Sequence, residues 1–355
     1  MIDTDARLAE WLPSLRSAPW IAIDTEADSL HAYPEKLCLL QVGHAGGNDL
    51  VDPLAGLNLA PLLETLKDRV LILHGGDYDL RMLRKDLDFI PSSVFDTMLA
   101  ARLLGVREFG LTNLVSRFLG ISLEKGPQKA NWARRPLTQR MEEYARNDTA
   151  YLKALSDLLR DQLEAKGRLS WHKEMCAQLI EHNSHVPPPD PDTVWRIKGS
   201  RHLPPRSLAV LRELWKWRET EAITANRPPY FILSSEAMID IATDAVDNRR
   251  SLDGSIPRHL TARRRREILS AVERGHESTQ LPQVVRFRPP PPSEASKRRY
   301  IELEKRRDQK AIELELDPTL IASRASLVGL SIDWEQASEE MLPWQRDLLQ
   351  AESLG

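Results

Sequence analysis

The chain has 355 residues, 41% hydrophobic and 28% charged, the balance of an ordinary soluble protein with room for two or three domains. Its formal net charge is only −3, so nucleic-acid binding has no global electrostatic signature and any basic surface must be local. The two cysteines, Cys38 and Cys176, exclude a disulfide framework and a cysteine zinc site, no run of about 18 or more apolar residues offers a membrane span, and the acidic N-terminus lacks the apolar core of a signal peptide; a cytoplasmic location is expected.

In chain order, Trp20-Ile-Ala-Ile23 reads as a buried strand that runs into Asp24-Thr-Glu26. Leu37 to Gly43 and Asp49 to Asp52 are two further strand candidates, joined as a hairpin through the turn signal at Gly46 to Asn48. Residues 54–68 have helical periodicity, and Val70 to His74 is a fourth strand, ended by Gly75-Gly76. Helices are expected from Asp77 to Arg84, from Asp96 to Leu104, from Leu111 to Leu119 and, as one long element, from about Thr138 to Leu163. Strands interleaved with helices predict a mixed α/β sheet.

The proline-rich His185 to Asp192 changes the pattern, and everything beyond it is helical: Arg206 to Ala225, then shorter helices near Ser235 to Thr243 and Thr261 to Arg274. A second linker, Arg286 to Ser293, precedes helices at about 294–316, 318–330 and 333–350. The chain therefore divides into an α/β domain over 1–185 and two small all-α domains over 200–282 and 293–355.

Three short patterns carry the chemistry. Asp24 and Glu26 sit two apart at a strand end, so both carboxylates point to one side. Such a pair repels itself unless cations neutralise it, and hard oxygen ligands favour Mg²⁺ or Mn²⁺. An acid-x-acid triplet alone is weak, because 52 of the 355 residues are acidic. Its weight comes from Asp79, at a second strand-to-helix edge in His74-Gly-Gly-Asp-Tyr-Asp79, and from Tyr144 and Asp148, which are i and i+4 on one helix face. Separately, Asp79 is an ordinary first-turn acid and Tyr144 an ordinary core residue. Together they supply four acids and a phenol, the set needed to hold two divalent ions about 3.5–4 Å apart for phosphodiester hydrolysis.

In that order the patterns resemble the three exonuclease motifs of the DEDD superfamily, tyrosine subtype. Ala27 to Tyr33 before Lys36 to Gln41, Asp52-Pro53, and Lys129-Ala-Asn-Trp132-Ala-Arg-Arg135-Pro136-Leu137 are similar to ribonuclease D. Leu208 to Glu219 with Asn226-Arg-Pro228 resembles the HRDC domain of RecQ-type helicases and ribonuclease D, and Asp317 to Arg324 the start of a second such domain. The resemblance covers nearly the whole chain. It implies a ribonuclease H-like mixed sheet with flanking helices, then two HRDC-type domains, and 3′→5′ exoribonuclease action that releases nucleoside 5′-monophosphates from tRNA precursors and other small RNAs. It also implies that Asp24, Glu26, Asp79 and Asp148 bind two Mg²⁺ or Mn²⁺ ions, that Tyr144 is catalytic, and that Leu30 wedges against the terminal base.

Other substrate contacts are open to two readings. His74 hydrogen-bonds the terminal nucleotide or caps its strand. Trp132 stacks on a base, worth about 1–3 kcal/mol where it occurs, or packs in the core. Lys125, Lys129, Arg134, Arg135 and Arg140 form the densest basic stretch of the exonuclease part, with Lys129 and Arg135 as candidate phosphate contacts and Arg263 to Arg266 as a possible continuation. Nothing in the sequence calls for an obligate protein partner. The competing functions are a DNA 3′→5′ exonuclease, which shares the catalytic motifs, and a non-catalytic RNA scaffold, which would need one of the four acids to be missing.

Overall fold

A buried strand can present acids only if its neighbours cover the rest of it, and the sheet around Asp24 does this. The structure, a computed structural model, describes residues 1–124, 126–185, 188–247, 252, 254–283 and 292–350. Strands β1 (Ile21–Ala27), β2 (Leu37–His44), β3 (Gly47–Val51), β4 (Val70–Leu73) and β5 (Ser93–Asp96) form one mixed sheet in the order β3-β2-β1-β4-β5. β1 pairs antiparallel with β2 along its whole length, from Ile21↔His44 to Ala27↔Leu37. Its parallel pairing with β4 covers only Ile21↔Leu71 and Ala22↔Ile72. Beyond Ile23, therefore, one edge of β1 is left without a strand partner.

Helices α1 (Asp5–Ser17), α2 (Ala60–Lys67), α3 (Asp77–Leu87), α4 (Thr97–Leu103), α5 (Leu111–Leu119), α6 (Gln139–Ala150), α7 (Leu152–Ala165) and α8 (Leu169–Ser184) flank the sheet. Several of these differ from the sequence expectation. The helix expected over 54–68 is a 3₁₀ turn at Pro53–Ala55 followed by α2, because Gly56 takes a left-handed backbone (φ 77°) between them. The single helix expected from Thr138 to Leu163 is two helices that meet at Tyr151. α6 packs on β1, β2 and β3, whereas α7 packs on α4, α5, β4 and β1, so the two halves bury their apolar faces against largely different elements. Helices α1 and α8 and strand β5 have no counterpart in the expected elements. α1 is nevertheless locally encoded, with Thr4 accepting the Arg7 backbone N–H and Leu8, Leu12 and Leu15 buried on one stripe.

By contacts the chain groups into two units. One comprises the described residues of Met1–Ala27, Leu37–Val186 and Pro289–Gly355; the other comprises those of Asp28–Lys36 and Pro187–Arg288. In the second unit, α9 (Pro205–Ala225), α10 (Pro229–Ile232), α11 (Ser235–Asp244) and α12 (Ala262–Glu277) close over a core that includes Leu208, Leu211, Leu214, Ile241 and Ile268. The loop after β1 belongs to this unit. Tyr33 packs on that core, its hydroxyl donates to Glu219 Oε2, and its backbone N–H donates to Asn226 Oδ1 at 3.2 Å. Arg263 and Arg264 are both paired with the buried carboxylate of Glu221, and Arg263 also with Glu267. Most of the basic run Arg263 to Arg266 is thus spent inside the unit; Arg265 also points inward, to backbone carbonyls.

The C-terminal helices α13 (Glu294–Leu314), α14 (Pro318–Ile321), α15 (Arg324–Ile332), α16 (Trp334–Glu339) and α17 (Pro343–Leu349) share one apolar core with the first unit, where Leu303, Leu316, Ile321, Leu327 and Trp344 pack with Phe95, Leu103, Leu155 and Leu159. Arg168 fastens the contact, donating to Leu103 O and Leu314 O, each at 2.7 Å. Trp171 stacks on Trp344 with ring centroids 4.8 Å apart.

A second fastening holds the segment before α6. Arg135 donates from Nε and Nη2 to the two oxygens of Asp52, each at 2.6 Å, and its Nη1 and Nη2 also reach Trp132 O and Cys38 O at 2.7 Å. Asp52 is only 5% exposed, so removal of its partner strands a buried charge. Arg135→Ala is expected to cost about 3–5 kcal/mol in urea denaturation. Arg135→Lys should recover only part of that loss, because an ammonium does not reproduce the two-pronged contact.

Candidate active site

The site begins at the exposed edge of β1. Strand alternation sends Asp24 and Glu26 to one face and Thr25 to the other. Where β4 has diverged, Thr25 turns its free edge to α3: its backbone N–H and its Oγ1 both donate to Asp79, the latter at 2.6 Å. Asp79 lies in the first turn of α3 and is buried. On the other face, α6 brings Tyr144 and Asp148 over β1, one helical turn apart. Carboxylate oxygens of Asp24, Glu26 and Asp148 all lie within 4.8 Å of one another. Asp79 stands outside this triplet but close enough to raise the pKa of Asp24 and Glu26.

Burial and mutual repulsion set the charge state of the cluster. Asp24 is held well above the usual carboxylate range, first by burial and then by Asp79, Asp148 and Glu26. Glu26 is pushed up to about 9 by burial, then by Asp148 and Asp79. Asp148 rises to about 7 through burial, against the hydrogen bond it accepts from Tyr144. Asp79 rises only to about 6, because the donors on Thr25 oppose its burial. The Tyr144 phenol is pushed far above its ordinary value by burial and by the charge of Asp148, which keeps its proton in place.

The donor set suits divalent cations. It consists of hard oxygen ligands alone, and Asp148 Oδ2 is buried with no hydrogen-bond partner, an acceptor left for a ligand that supplies positive charge. A cleft of about 700 Å³ opens over this floor, lined by Asp24, His74, Tyr144 and Asp148. His74 follows β4, and its Nδ1 lies 2.9 Å from Thr97 Oγ1. Thr97 donates its own hydrogen to Leu73 O at 3.0 Å, so Nδ1 must be the donor to Oγ1. Burial holds the imidazole pKa below its ordinary value, which leaves a neutral ring with Nε2 as an acceptor.

The remaining expected contacts divide. Trp132 does not offer a face to a base: it is 1% exposed and packs behind Tyr144, ring centroids 6.1 Å apart, in a core with Cys38, Leu39 and Met141. Arg135 is likewise not available to a phosphate, since Asp52 and three backbone carbonyls take its guanidinium. Lys129 is exposed, Arg140 lines an adjoining cavity of about 520 Å³ together with Tyr144, and Lys125 lies outside the described residues. Leu30 is 42% exposed on the loop after β1.

Several lining residues had no sequence motif to mark them. Gly110, Leu111, Thr112 and Asn113 bring the N-terminus of α5 to the cleft, and no side chain caps that helix end. Glu124, Gln128 and Asn147 complete the wall. The only sequence signal for them was proximity to marked residues, as with Asn147 beside Asp148. Gly126 is required by contact: a Cβ there would lie 1.5 Å from Tyr144 Cδ2.

The raised carboxyl pKa values fix the sign of a pH effect. Each such group binds more protons folded than unfolded between its ordinary value and its folded value. Their stabilising contribution is full below the ordinary carboxylate range and is lost as pH rises through about 6 for Asp79, about 7 for Asp148 and about 9 for Glu26. In EDTA the melting temperature should therefore fall from about pH 5 to about pH 9, and Mn²⁺ should restore it more at the alkaline end. Asp24→Asn should flatten the slope and raise the metal-free melting temperature, by about 2–4 °C for each kcal/mol of repulsion relieved. A slope unaffected by Asp24→Asn would mean that the acids do not act as one cluster.

Comparison with known proteins places this site in a family. Residues 1–164 match the family model of the 3′-5′ exonuclease, and residues 207–272 that of the HRDC domain. The chain is 30% identical to a ribonuclease D of Granulibacter bethesdensis over 367 aligned positions, 100% of this chain and 91% of that relative. It is 36% identical to a ribonuclease D of Zymomonas mobilis over 68% of this chain and 63% of the relative. The crystal structure of Escherichia coli RNase D, an exoribonuclease involved in structured RNA processing, aligns with a TM-score of 0.74 at 26% identity, covering 99% of this chain and 98% of that one. Full-length similarity to a ribonuclease D, together with the exonuclease and HRDC matches in this chain, means that it belongs to the ribonuclease D family of 3′→5′ exoribonucleases.

Proposed function

We propose that the cleft removes nucleoside 5′-monophosphates one at a time from the 3′ ends of tRNA precursors and other small RNAs, with Asp24, Glu26, Asp79 and Asp148 as ligands of two divalent ions, Mg²⁺ or Mn²⁺. The observation that carries the reading is the convergence of Asp24, Glu26 and Asp148 around an unpartnered carboxylate oxygen, beside a tyrosine that keeps its proton. When bound, such a pair of ions supplies an activated water and stabilises the leaving oxygen. The protein's own residues do the rest. Asp24, Glu26 and Asp148 hold a fixed acidic floor. Asp79, steadied by Thr25, completes it from the α3 side.

Tyr144 is a donor in this scheme. Burial and the charge of Asp148 hold the phenol pKa above its ordinary value, which suits Tyr144 to donate rather than to act as the base, with its single hydrogen directed to the attacking water or to a scissile phosphate oxygen. The neutral His74 presents Nε2 as an acceptor, suited to a hydroxyl of the terminal ribose, and a 2′-hydroxyl is what separates RNA from DNA. The uncapped N-terminus of α5 and the exposed Lys129 face the phosphate backbone in this reading. Leu30, exposed and apolar, serves as the wedge against the terminal base.

We also assign the exonuclease domain to 1–185, the HRDC domain to 200–282 and a second HRDC-like domain to 293–355. A cytoplasmic location fits two buried cysteines that are not joined in a disulfide. Among the described residues, no helix is long and apolar enough to cross a membrane.

The test uses a 3′-extended tRNA precursor labelled at its 5′ end, with Mg²⁺, beside a DNA of matched sequence. The expected result is a ladder that shortens by single nucleotides on RNA and disappears with EDTA. Asp24→Asn and Asp148→Asn should abolish the ladder while the fold survives. Tyr144→Phe should slow it by roughly 10²–10³-fold, the range typical for loss of one transition-state donor. Shortening confined to DNA would reverse the substrate assignment, and near-normal rates for either Asn variant would remove the two-ion scheme.

A further inference from the structure

One polar side chain stands in the apolar layer behind the acids. Gln41 lies on β2, directly opposite Asp24 of β1. Residues opposite each other in an antiparallel pair project from the same face of the sheet, so Gln41 shares the face of Asp24 and not that of Thr25. Its neighbours on that face are Leu39 along the strand and Leu50 across on β3. Both are fully buried in a core with Met141 and Ala145 of α6. Gln41 itself is 0% exposed. Its Nε2 donates to Asp24 Oδ2 at 3.2 Å. The other end of the same amide, Oε1, is buried with no hydrogen-bond partner among the described residues.

A buried amide with an orphaned oxygen costs stability, and a methionine or leucine would fill the same place without that cost. Packing therefore does not account for Gln41. Its polar group is spent on Asp24, and an amide has the chemistry that this contact needs. It is neutral, so it takes up one carboxylate oxygen without cancelling the charge that a cation requires. A lysine in its place would pair with Asp24 and compete with the cation.

We propose that Gln41 is a positioning residue: it holds Asp24 Oδ2 from the β2 side and fixes the angle at which that carboxylate meets a cation shared with Glu26 and Asp148. The inference rests on Asp24 being a metal ligand, as proposed above. Strand pairing fixes the backbone of Asp24 but leaves its carboxyl group free to turn about the Cβ–Cγ bond, and the amide removes that freedom. Carboxylates that ligate metals are commonly held by such a partner, and its loss lowers metal affinity by about 10–100-fold.

The test is calorimetric titration of full-length, metal-free protein with Mn²⁺ in the absence of RNA, beside thermal melting in EDTA. Gln41→Met removes the donor and the orphaned acceptor together at nearly constant length. It should leave the metal-free melting temperature unchanged or higher and weaken Mn²⁺ binding by about 10–100-fold. Gln41→Asn keeps the amide but draws it back by one methylene, and should show the same loss of affinity; it decides the matter if Gln41→Met does not fold. On 5′-labelled single-stranded RNA both variants should need more Mn²⁺ for half-maximal rate. Wild-type Mn²⁺ affinity in a folded variant would overturn the inference, and a lower melting temperature with that affinity intact would make Gln41 a packing residue. Asp24→Asn should weaken Mn²⁺ binding at least as much. An Asp24→Asn protein that binds Mn²⁺ like the wild type would overturn the metal-ligand reading as well, and would be recognised from that single variant.

Discussion

Like-charge repulsion at the floor of the cleft is the constraint on which the rest of the structure depends. Four carboxyl groups crowd around the end of β1, and burial raises all of them above the ordinary carboxylate range. A fold that spends stability on such a cluster must hold it on rigid elements, or the acids would separate. The apolar half of β1 and nearly all of β2 are fully buried, and the strand that carries Asp24 and Glu26 pairs with β2 along its full length. The one-sided pairing with β4 then exposes backbone donors where a carboxylate needs them. Thr25 N–H meets Asp79 because no strand competes for it. The same divergence that weakens the sheet locally is what admits the fourth acid.

Behind the acids, support passes outward in layers. Tyr144 rests on Trp132, Trp132 sits in a core with Cys38 and Leu39 of β2, and the segment that carries Trp132 is fastened to Asp52 by Arg135. A sequence reader meets Trp132 and Arg135 as an aromatic and a base beside a nuclease motif, and phosphate or base contact is the natural inference. The structure uses both inside the fold instead, Trp132 packed behind Tyr144 and Arg135 bound to Asp52. That outcome was not legible from composition, because burial and ion pairing depend on partners 80 or more positions away: Asp52 for Arg135 is at a separation of 83.

What was legible had short-range signatures. The period-2 placement of Asp24 and Glu26 and the i, i+4 placement of Tyr144 and Asp148 follow from backbone geometry alone, and both pairs share a face as that geometry requires. The hairpin of β2 and β3 was announced by its turn. The break between α6 and α7 was not, because Tyr151 is no helix breaker; the helix divides there to satisfy two different packing surfaces. Strand β5 has a weaker signature than the equally short β4: Ser93-Val-Phe-Asp96 holds only two apolar residues, its last residue reads as the start of the following helix, and the strand is fixed by its parallel pairing with β4. The lining contributed by α5 and by Gln128 is purely tertiary, since neither lies near Asp24, Glu26, Asp79 or Asp148 in sequence.

The charge inventory shows how an acidic protein handles a polyanion. Some basic residues that look like an RNA track are consumed inside the fold, Arg135 by Asp52 and Arg263 and Arg264 by Glu221, whereas Lys129 is exposed and Arg140 lines a cavity. With a net charge of −3 and an acidic floor, long-range attraction of RNA is small, and in the proposed reading recognition falls to short-range groups at the cleft. These are the N–H groups at the start of α5, a neutral histidine and a tyrosine donor, and they act within hydrogen-bond distance and largely escape salt screening. Divalent cations held by these acids would reverse the local sign of the floor.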